Sequence, residues 1–441
     1  MTRHRDNTKY MNSVCYRMLG VEQSWTLEAY ESMGGYRVWR QIIAKQTPPE
    51  VLLKEIKSAV LRGRGGAGFS TGIKMSFISA SSPTPRYLVC NSDEGEPGTC
   101  KDTLILQFNP HQLIEGMLIA CYAQGLSVAY NYLRGEFMHH YQRCQQALEE
   151  AMSHGLCGDD ILGSDIGIQI YNVLGAGSYI VGEETAMLNS LEGRRGVPRI
   201  KPPFPAQKGL YGKPTTVNNT ETLASLPVII EKGADWFLNV GTQKSGGTKI
   251  FCISGHVQKP GVFEMPLGTP FATLLEMAGG IKEGRQLKAV IPGGSSMKVL
   301  KADEIINLTM DYESLQSAGS GIGSGGVIVM DDSTCMVETL VCISHFYKME
   351  SCGQCTPCRE GSGWVWRVLN RICQGQGRLD DLPKLMSIAA QVEGRTICAF
   401  GEAFSWPVQS FIEKFYDEFE YFILHKKSMI TGVSGGVGGY E

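Results

Sequence analysis

Three cysteines at two-residue gaps, in Ser351-Cys352-Gly353-Gln354-Cys355-Thr356-Pro357-Cys358-Arg359, and a solitary Cys398 in Thr396-Ile397-Cys398-Ala399 are the residues best placed to do chemistry. Three thiolates from one tight loop, closed by a fourth from a distant segment, suit the corners of a cubic [4Fe-4S] cluster. Zinc also takes four cysteines, but its structural sites usually split two and two between separate knuckles. Pro357 removes a backbone donor and stiffens the turn that presents the sulfurs. An electron carrier is therefore the expectation and a zinc site the alternative. The other ten of the 14 cysteines are scattered, and several, such as Cys121 in Met117-Leu118-Ile119-Ala120-Cys121, sit in apolar runs where a thiol acts as a small hydrophobe. That usage points to a reducing compartment.

A second kind of chemistry is written in glycine. Gly63-Arg64-Gly65-Gly66-Ala67-Gly68-Phe69 contains a literal G-x-G-x-x-G, yet a helix-like segment rather than a strand leads into it. No acidic residue follows at the offset of about twenty that a Rossmann unit requires, so the motif is not that fingerprint. What remains is physical: glycines let a backbone approach a ligand, and successive N–H groups can line an anion-binding concavity, here flanked by Arg64 and Lys74. Asn91-Ser92-Asp93-Glu94-Gly95-Glu96-Pro97-Gly98 places carboxylates just past an expected strand end, where open α/β sheets bind ligands. Gly175-Ala176-Gly177-Ser178-Tyr179-Ile180-Val181-Gly182-Glu183-Glu184-Thr185 is a second glycine loop with paired carboxylates leading into a helix. Solvated charges or a carboxylate beside a helix dipole are the bland alternatives. Phe204, on the stiff Lys201-Pro202-Pro203 support, could join Phe69 and Phe77 in stacking on a purine, though any one Phe is more often core. Val217-Asn218-Asn219, directly before a helix, offers side-chain amides for a heterocycle's edge or for capping.

The elements that must position these residues fall into three textures. Residues 1–245 alternate helix-like and strand-like segments, with helices near 51–61, 111–124, 136–154, 183–191 and 220–232 and strands near 86–90, 126–133 and 168–174, which argues an α/β layer domain. Residues 246–330 read as short β runs broken by Gly and Pro, with one evident helix from Phe271 to Ala278, a small α+β module. Residues 331–426 read as four helices bracketing the cysteines. The tail 427–441, rich in glycine, is expected to be disordered.

The 441 residues leave room for several domains, and a 43% hydrophobic share is ordinary for packed cores. A formal charge of −3 gives no electrostatic case for nucleic acid. No run approaches the ~18–20 apolar residues of a spanning helix. The N-terminus lacks the apolar stretch of a secretory signal. A cytoplasmic protein follows, any membrane association coming through partners.

In Gly63–Phe69, Asn91–Gly98, Gly182-Glu183-Glu184-Thr185, Glu192-Gly193-Arg194-Arg195, Pro202-Pro203-Phe204-Pro205, Val217-Asn218-Asn219 and Glu350–Gly361, the chain resembles the NADH-binding, FMN-carrying subunits of respiratory complex I. The resemblance runs from about 30 to 425 in one order. It implies an N-terminal α/β flavin domain, a ubiquitin-like β-grasp module of SLBB type and a C-terminal helical bundle holding one [4Fe-4S] cluster. It places FMN against Gly65, Gly66, Lys74, Asn91, Asp93, Glu94, Tyr179, Gly182, Glu183, Asn218 and Asn219, with Gly63, Arg64 and Val217 in the same cofactor-binding segments. NADH would stack among Phe69, Phe77 and Phe204 and meet Glu96, Glu184 and Lys201, while Cys352, Cys355, Cys358 and Cys398 would hold the cluster. Hydride passes directly to flavin in such proteins, so no catalytic acid, base or nucleophile is assigned. Implied partners are a thioredoxin-like [2Fe-2S] subunit and a large iron–sulfur subunit, with a peripheral place on the inner face of the cell membrane. Val181, Thr103 and Thr220 stand where relatives often carry cysteine, arginine and valine. Flavin subunits of NAD-linked hydrogenases and formate dehydrogenases are the rivals. From another class altogether comes a zinc-stabilised docking scaffold with structural glycine loops.

Overall fold

The computed structural model describes residues 8–78, 81–282 and 284–432. From residue 433 the expected disordered tail lies outside the described residues. Two compact units divide the chain. One takes the residues to Gly95, Thr99–Cys252 and Val262–Thr269; the other takes Glu96–Gly98, Ile253–Gly261 and everything from Pro270.

The first unit is built on a four-stranded sheet: β1 (Tyr87–Ser92), β2 (Val128–Leu133), β3 (Gln169–Leu174) and β4 (Thr215–Asn219). All neighbours run parallel, in the order β3-β2-β1-β4. Parallel strands need crossover connections, and the helices Pro110–Gln124, Met138–Ser153 and Glu184–Leu191 lie in the successive crossovers. The chain steps outward from β1 to β3 and then returns to the far side of β1 as β4. Between β1 and β4 the direction of winding reverses, and at such a point the loops after adjacent strands part to leave a crevice at the carboxyl ends.

Helix Pro110–Gln124 is buried along nearly its whole circumference, as expected of a central core element rather than an amphipathic surface one. It tolerates this because its polar residues are paired. Glu115 accepts the Tyr30 hydroxyl at 2.5 Å and the backbone N–H groups of Tyr36 (3.1 Å) and Trp39 (3.2 Å). These bonds tie down the short N-terminal helices Leu27–Ser32 and Arg37–Ala44, which the sequence did not announce. A Cβ at Gly116 would stand 2.0 Å from the Leu223 carbonyl, so glycine lets the backbone of Thr220–Ala224 press against this helix. The helix expected over 220–232 is broken in two, Thr220–Ala224 and Leu226–Lys232, with Pro227 in the first turn of the second.

In the second unit, the strand Gly326–Asp331 pairs antiparallel with Leu287–Ile291, which pairs with Leu300–Lys301. Beside the expected helix, found at Phe271–Met277, stand two more, Ala302–Ile305 and Tyr312–Ser317, too short to reveal themselves by periodicity. The C-terminal part contains five α-helices among the described residues rather than four: Met336–Glu350, Thr356–Arg371, Asp381–Val392, Phe400–Lys414 and Tyr416–His425. They bury seams at helical spacing, such as Val337, Leu340, Val341, Ser344 and Tyr347. The last two are separated only at Phe415, which is why the sequence reads as one helix there.

Candidate functional site

At the carboxyl ends of β1 and β4 three asparagines meet. Asn91 and Asn219 are register partners across the sheet. Asn91 donates through Nδ2 to the Gly182 carbonyl at 2.8 Å and accepts from the Asp93 N–H at 3.1 Å, which fixes the second glycine loop over β1. Asn219 caps the helix Thr220–Ala224 by accepting from the Glu221 N–H. Asn218 is buried, yet its Nδ2 has no hydrogen-bond partner among the described residues. An unpaired buried amide costs about 1–3 kcal/mol, a cost that a ligand accepting from it would repay.

The first glycine loop closes on the same strand ends. A Cβ at Gly65 would stand 3.2 Å from the Asn219 Cβ, and Gly66 and Gly68 have positive φ, which side chains disfavour. The Gly63 N–H donates to the Phe69 carbonyl at 2.8 Å, pinching the loop shut, and Phe69 and Phe77 follow with their rings 6.0 Å apart. Phe69, Phe77 and Phe204 are each about half exposed, unusual for phenylalanine and available for stacking. Arg64 does not offer its charge to the loop. Its guanidinium turns inward, fully buried, and donates to the carbonyls of Arg62, Gly246 and Thr248. Five donors in a rigid fork make arginine suited to this interior role, and only its backbone stays in the glycine loop.

The acidic residues take distinct places. Glu183 caps the helix Glu184–Leu191 through Oε2, which accepts from the Thr185 and Ala186 N–H groups, and its Oε1 meets Lys201 Nζ at 2.9 Å. Glu184 lies between Lys201 (2.9 Å) and Lys74 (3.1 Å). Burial opposes its ionisation, but the two ammonium groups outweigh that and hold its carboxyl below the usual range. Glu94 is spent on structure: its carboxylate accepts from the N–H groups of Lys101, Asp102 and Thr103 at the start of helix Asp102–Phe108. Burial and the neighbouring Asp102 push it up to about 8. Glu96 belongs to the second unit, where it accepts from the Ser296 N–H at 2.8 Å. Tyr179 opens the short 3-10 turn Tyr179–Gly182 and packs on Gly95, whose Cβ would sit 3.3 Å from its ring; a Cβ at Gly182 would lie 3.5 Å from the Asp93 carbonyl. Val217 is buried within β4.

Sequence reasoning missed the support beneath the crevice. Lys101 donates to Asp102 Oδ1 (2.7 Å) and Asn219 Oδ1 (3.1 Å) and pairs with Glu221 Oε2 (3.1 Å), while Asp102 Oδ2 accepts from Asn219 Nδ2 at 2.7 Å. Burial disfavours the ammonium, but Asp102, Glu221 and Glu94 outweigh it and keep Lys101 charged. Both ends of the Asn219 amide are thereby fixed. The only signal was Lys101-Asp102 following the acidic loop, and adjacent opposite charges are too common to single out. A cavity of about 910 Å³ in the N-terminal helices, lined by Glu31, Arg37 and Arg40 among others, includes none of the expected site residues.

In the second unit the cysteines stand at a helix start. Cys355 is the N-cap of Thr356–Arg371, Pro357 sits in its first turn and Cys358 follows there, where the dipole favours thiolates. Gly353 has φ +80°, the left-handed turn that doubles the chain back from Cys352. The Ile397 N–H approaches Cys355 Sγ at 3.5 Å, which brings the Cys398 segment to the loop. Thr396 Oγ1 donates to the Cys398 carbonyl, and a Cβ at Gly401 would strike that threonine, so glycine admits this turn. Trp406 and Gln409 donate to the Glu393 carboxylate and hold the loop's other end. Burial, then the Cys352 and Cys355 sulfurs, push the Cys358 thiol up to about 11, against a 3.2 Å bond from Ser351. Such a cradle calls for a cationic core. Three sulfurs from one loop, with a fourth from the segment that the Ile397 N–H ties to it, are a donor set that fits an iron–sulfur core.

Three family models match separate parts of the chain. Residues 56–228 match the Nuo51 FMN-binding domain, 250–300 the SLBB domain, and 338–422 the NADH-ubiquinone oxidoreductase-F iron-sulfur binding region. The chain is 49% identical over 401 residues to the F subunit of the NADH-quinone oxidoreductase of Rickettsia bellii, covering 90% of this chain and 96% of the relative. It is likewise 49% identical to the same protein of Rickettsia typhi, covering 90% and 94%. Among solved structures it is similar to an NAD+-reducing [NiFe]-hydrogenase in the H2-reduced state, with a TM-score of 0.79 and 35% identity over 86% of this chain. The chain spans 63% of that hydrogenase chain's length.

Proposed function

Because the chain belongs to the family of F subunits of NADH-quinone oxidoreductase, we propose that it is the NADH-oxidising flavoprotein subunit of a respiratory complex I. Its cofactors are FMN and one [4Fe-4S] cluster, and its substrate is NADH. Bound FMN supplies the step that no side chain here can perform, taking the two electrons of NADH as hydride and releasing them singly to the cluster on the way to quinone.

What the chain contributes is holding. The observation that carries the reading is the crevice at the β1–β4 reversal, where a buried amide lacks a partner and a glycine loop comes within van der Waals contact. Gly65, Gly66, Asn91, Asn218 and Asn219 would cradle the flavin, with Lys74, Asp93, Tyr179, Gly182 and Glu183 around them. Glu94 and Arg64 would serve it indirectly, by fixing backbone. Phe69, Phe77 and Phe204 would stack on NADH, with Glu184 and Lys201 at its polar groups. Cys352, Cys355, Cys358 and Cys398 would hold the cluster. Pre-set asparagine and glycine contacts spare the ordering cost at the reacting centre.

Domain limits of 1–245, 246–330 and 331–426 for flavin, β-grasp and cluster parts belong to the same proposal, as do a thioredoxin-like [2Fe-2S] subunit and a large iron–sulfur subunit as partners. No helix among the described residues is long and apolar enough to cross a membrane, so attachment at the cytoplasmic face would come through those partners. The hydrogenase reading fits less well, since the two Rickettsia relatives match at higher identity and over 96% and 94% of their own length against 63%.

Substrate choice tests the proposal. Glu184 pairs with two lysines, and its removal takes away Lys74's partner and one of the two carboxylates at Lys201, leaving more positive charge to attract a 2′-phosphate. Glu184→Ala is expected to weaken NADH use and raise NADPH use relative to it by about tenfold, the equivalent of about 1.4 kcal/mol. Steady-state selectivity identical to wild type would count against the placement of NADH here.

A further inference from the structure

We propose that Cys100 and Cys252 form a peroxide-sensitive dithiol, in which the exposed Cys100 is the attacking sulfur and the buried Cys252 resolves it into a disulfide. Cys100 stands two residues before helix Asp102–Phe108, and Cys252 lies within the strand Thr248–Gly255. Although 152 positions apart in sequence, they touch: the Cys100 N–H donates to Cys252 Sγ at 3.2 Å. Thr103 Oγ1 holds the Cys100 carbonyl at 2.9 Å, so the residue is presented by a fixed turn.

The two sulfurs are unequal, as a sensor requires. Cys100 is exposed, whereas Cys252 is 3% exposed. The neighbouring Cys252 sulfur lowers the Cys100 thiol to about 7, while Cys100 and burial hold Cys252 well above its ordinary value. Cys100 therefore carries more of the thiolate, the nucleophilic form, at neutral pH than an ordinary cysteine. No other thiol combines these traits. Cys15, Cys90, Cys121, Cys144 and Cys157 are buried and pushed up by desolvation, and exposed Cys342 is raised too.

The chemistry balances with a hydroperoxide as oxidant. The Cys100 thiolate attacks the outer peroxide oxygen, the O–O bond breaks, and an alcohol, or water from hydrogen peroxide, leaves with a proton. The resulting sulfenic acid is attacked by the Cys252 sulfur; the S–S bond forms, the S–O bond breaks, and water leaves. Two thiols lose two electrons, which reduce the O–O bond. The disulfide would tether the start of helix Asp102–Phe108 to the strand Thr248–Gly255. Neither sulfur belongs to the residues expected to hold flavin, nucleotide or cluster.

The test is one equivalent of hydrogen peroxide added to the full chain carrying its cofactors, followed by intact mass and peptide mapping. Wild type is expected to lose two hydrogens and yield a linked peptide pair containing Cys100 and Cys252, reversed by dithiothreitol. In Cys252→Ser, Cys100 should instead gain one oxygen and label with dimedone. The midpoint of its alkylation by iodoacetamide should also rise from about 7 towards the ordinary value of about 8.5. Wild-type Cys100 that labels with dimedone without linking, or stays reduced while Cys342 reacts, would overturn the proposal. So would an unshifted midpoint in the variant.

Discussion

Asn218 and Lys101 probe the crevice from two sides. Asn218→Ala removes the partnerless donor and should leave the fold intact, since no protein hydrogen bond is lost at that nitrogen. FMN retention should fall about fivefold, in line with the roughly 1 kcal/mol net worth of a hydrogen bond, as read by flavin per chain after gel filtration. Retention equal to wild type would mean the amide faces no ligand. Lys101→Met leaves Asp102, 3% exposed at the side chain, without its cation, while Glu221 keeps Lys249 at 3.1 Å. Breaking a buried pair in this way costs about 3–5 kcal/mol, so a clear drop in thermal midpoint is expected. His111 sets a pH response: its Nε2 lies 3.2 Å from Glu150 and its Nδ1 3.1 Å from the Tyr36 hydroxyl, and burial lowers the ring to about 4. Unfolded, the same ring titrates near 6.5. Between those values the unfolded chain binds more protons, so stability falls as pH drops from about 6.5 to about 4. His111→Gln should flatten that part of a Tm-against-pH curve, and a slope identical to wild type would contradict it.

Helices and strands show where reading a sequence succeeds. β1, β2 and β3 and the helices Pro110–Gln124 and Met138–Ser153 carry apolar runs or faces long enough to declare themselves, and the structure starts and ends them within about two residues of expectation. β4 was seen only as a polar stretch before a helix, because Thr215-Thr216-Val217-Asn218-Asn219 has one apolar residue and gains its strand form by pairing with β1. The cysteine loop, glycine loops and paired carboxylates were legible because their chemistry is local. The inward turn of Arg64, the capping role of Glu94 and the Lys101–Asp102 support were not, since each depends on partners that only the folded chain brings near. Gly116 belongs with these: one glycine in an apolar helix gives no hint that a carbonyl lies against it. Gly116→Ala is expected to lower stability by at least about 1–3 kcal/mol through overpacking, measured as a fall in Tm; an unchanged Tm would show that the two helices can part.

Taken as a molecule, the chain separates hydride chemistry from electron collection: under the proposed reading the parallel sheet's crevice would bind flavin and nucleotide, and the cysteine loop with Cys398 would hold the cluster. Cys355→Ser should spare the first and disable the second, with NADH oxidation by an artificial two-electron acceptor persisting while the cluster's low-temperature EPR signal is lost. A wild-type signal in that variant would exclude Cys355 as a ligand. The most direct test is the visible absorption spectrum of the purified chain, loaded with FMN, iron and sulfide, before and after addition of NADH without oxygen. A yellow-brown protein whose flavin band bleaches at once on adding NADH, and only feebly with NADPH, is the predicted result. A folded, metal-loaded protein that stays colourless, or whose spectrum NADH leaves unchanged, would contradict it.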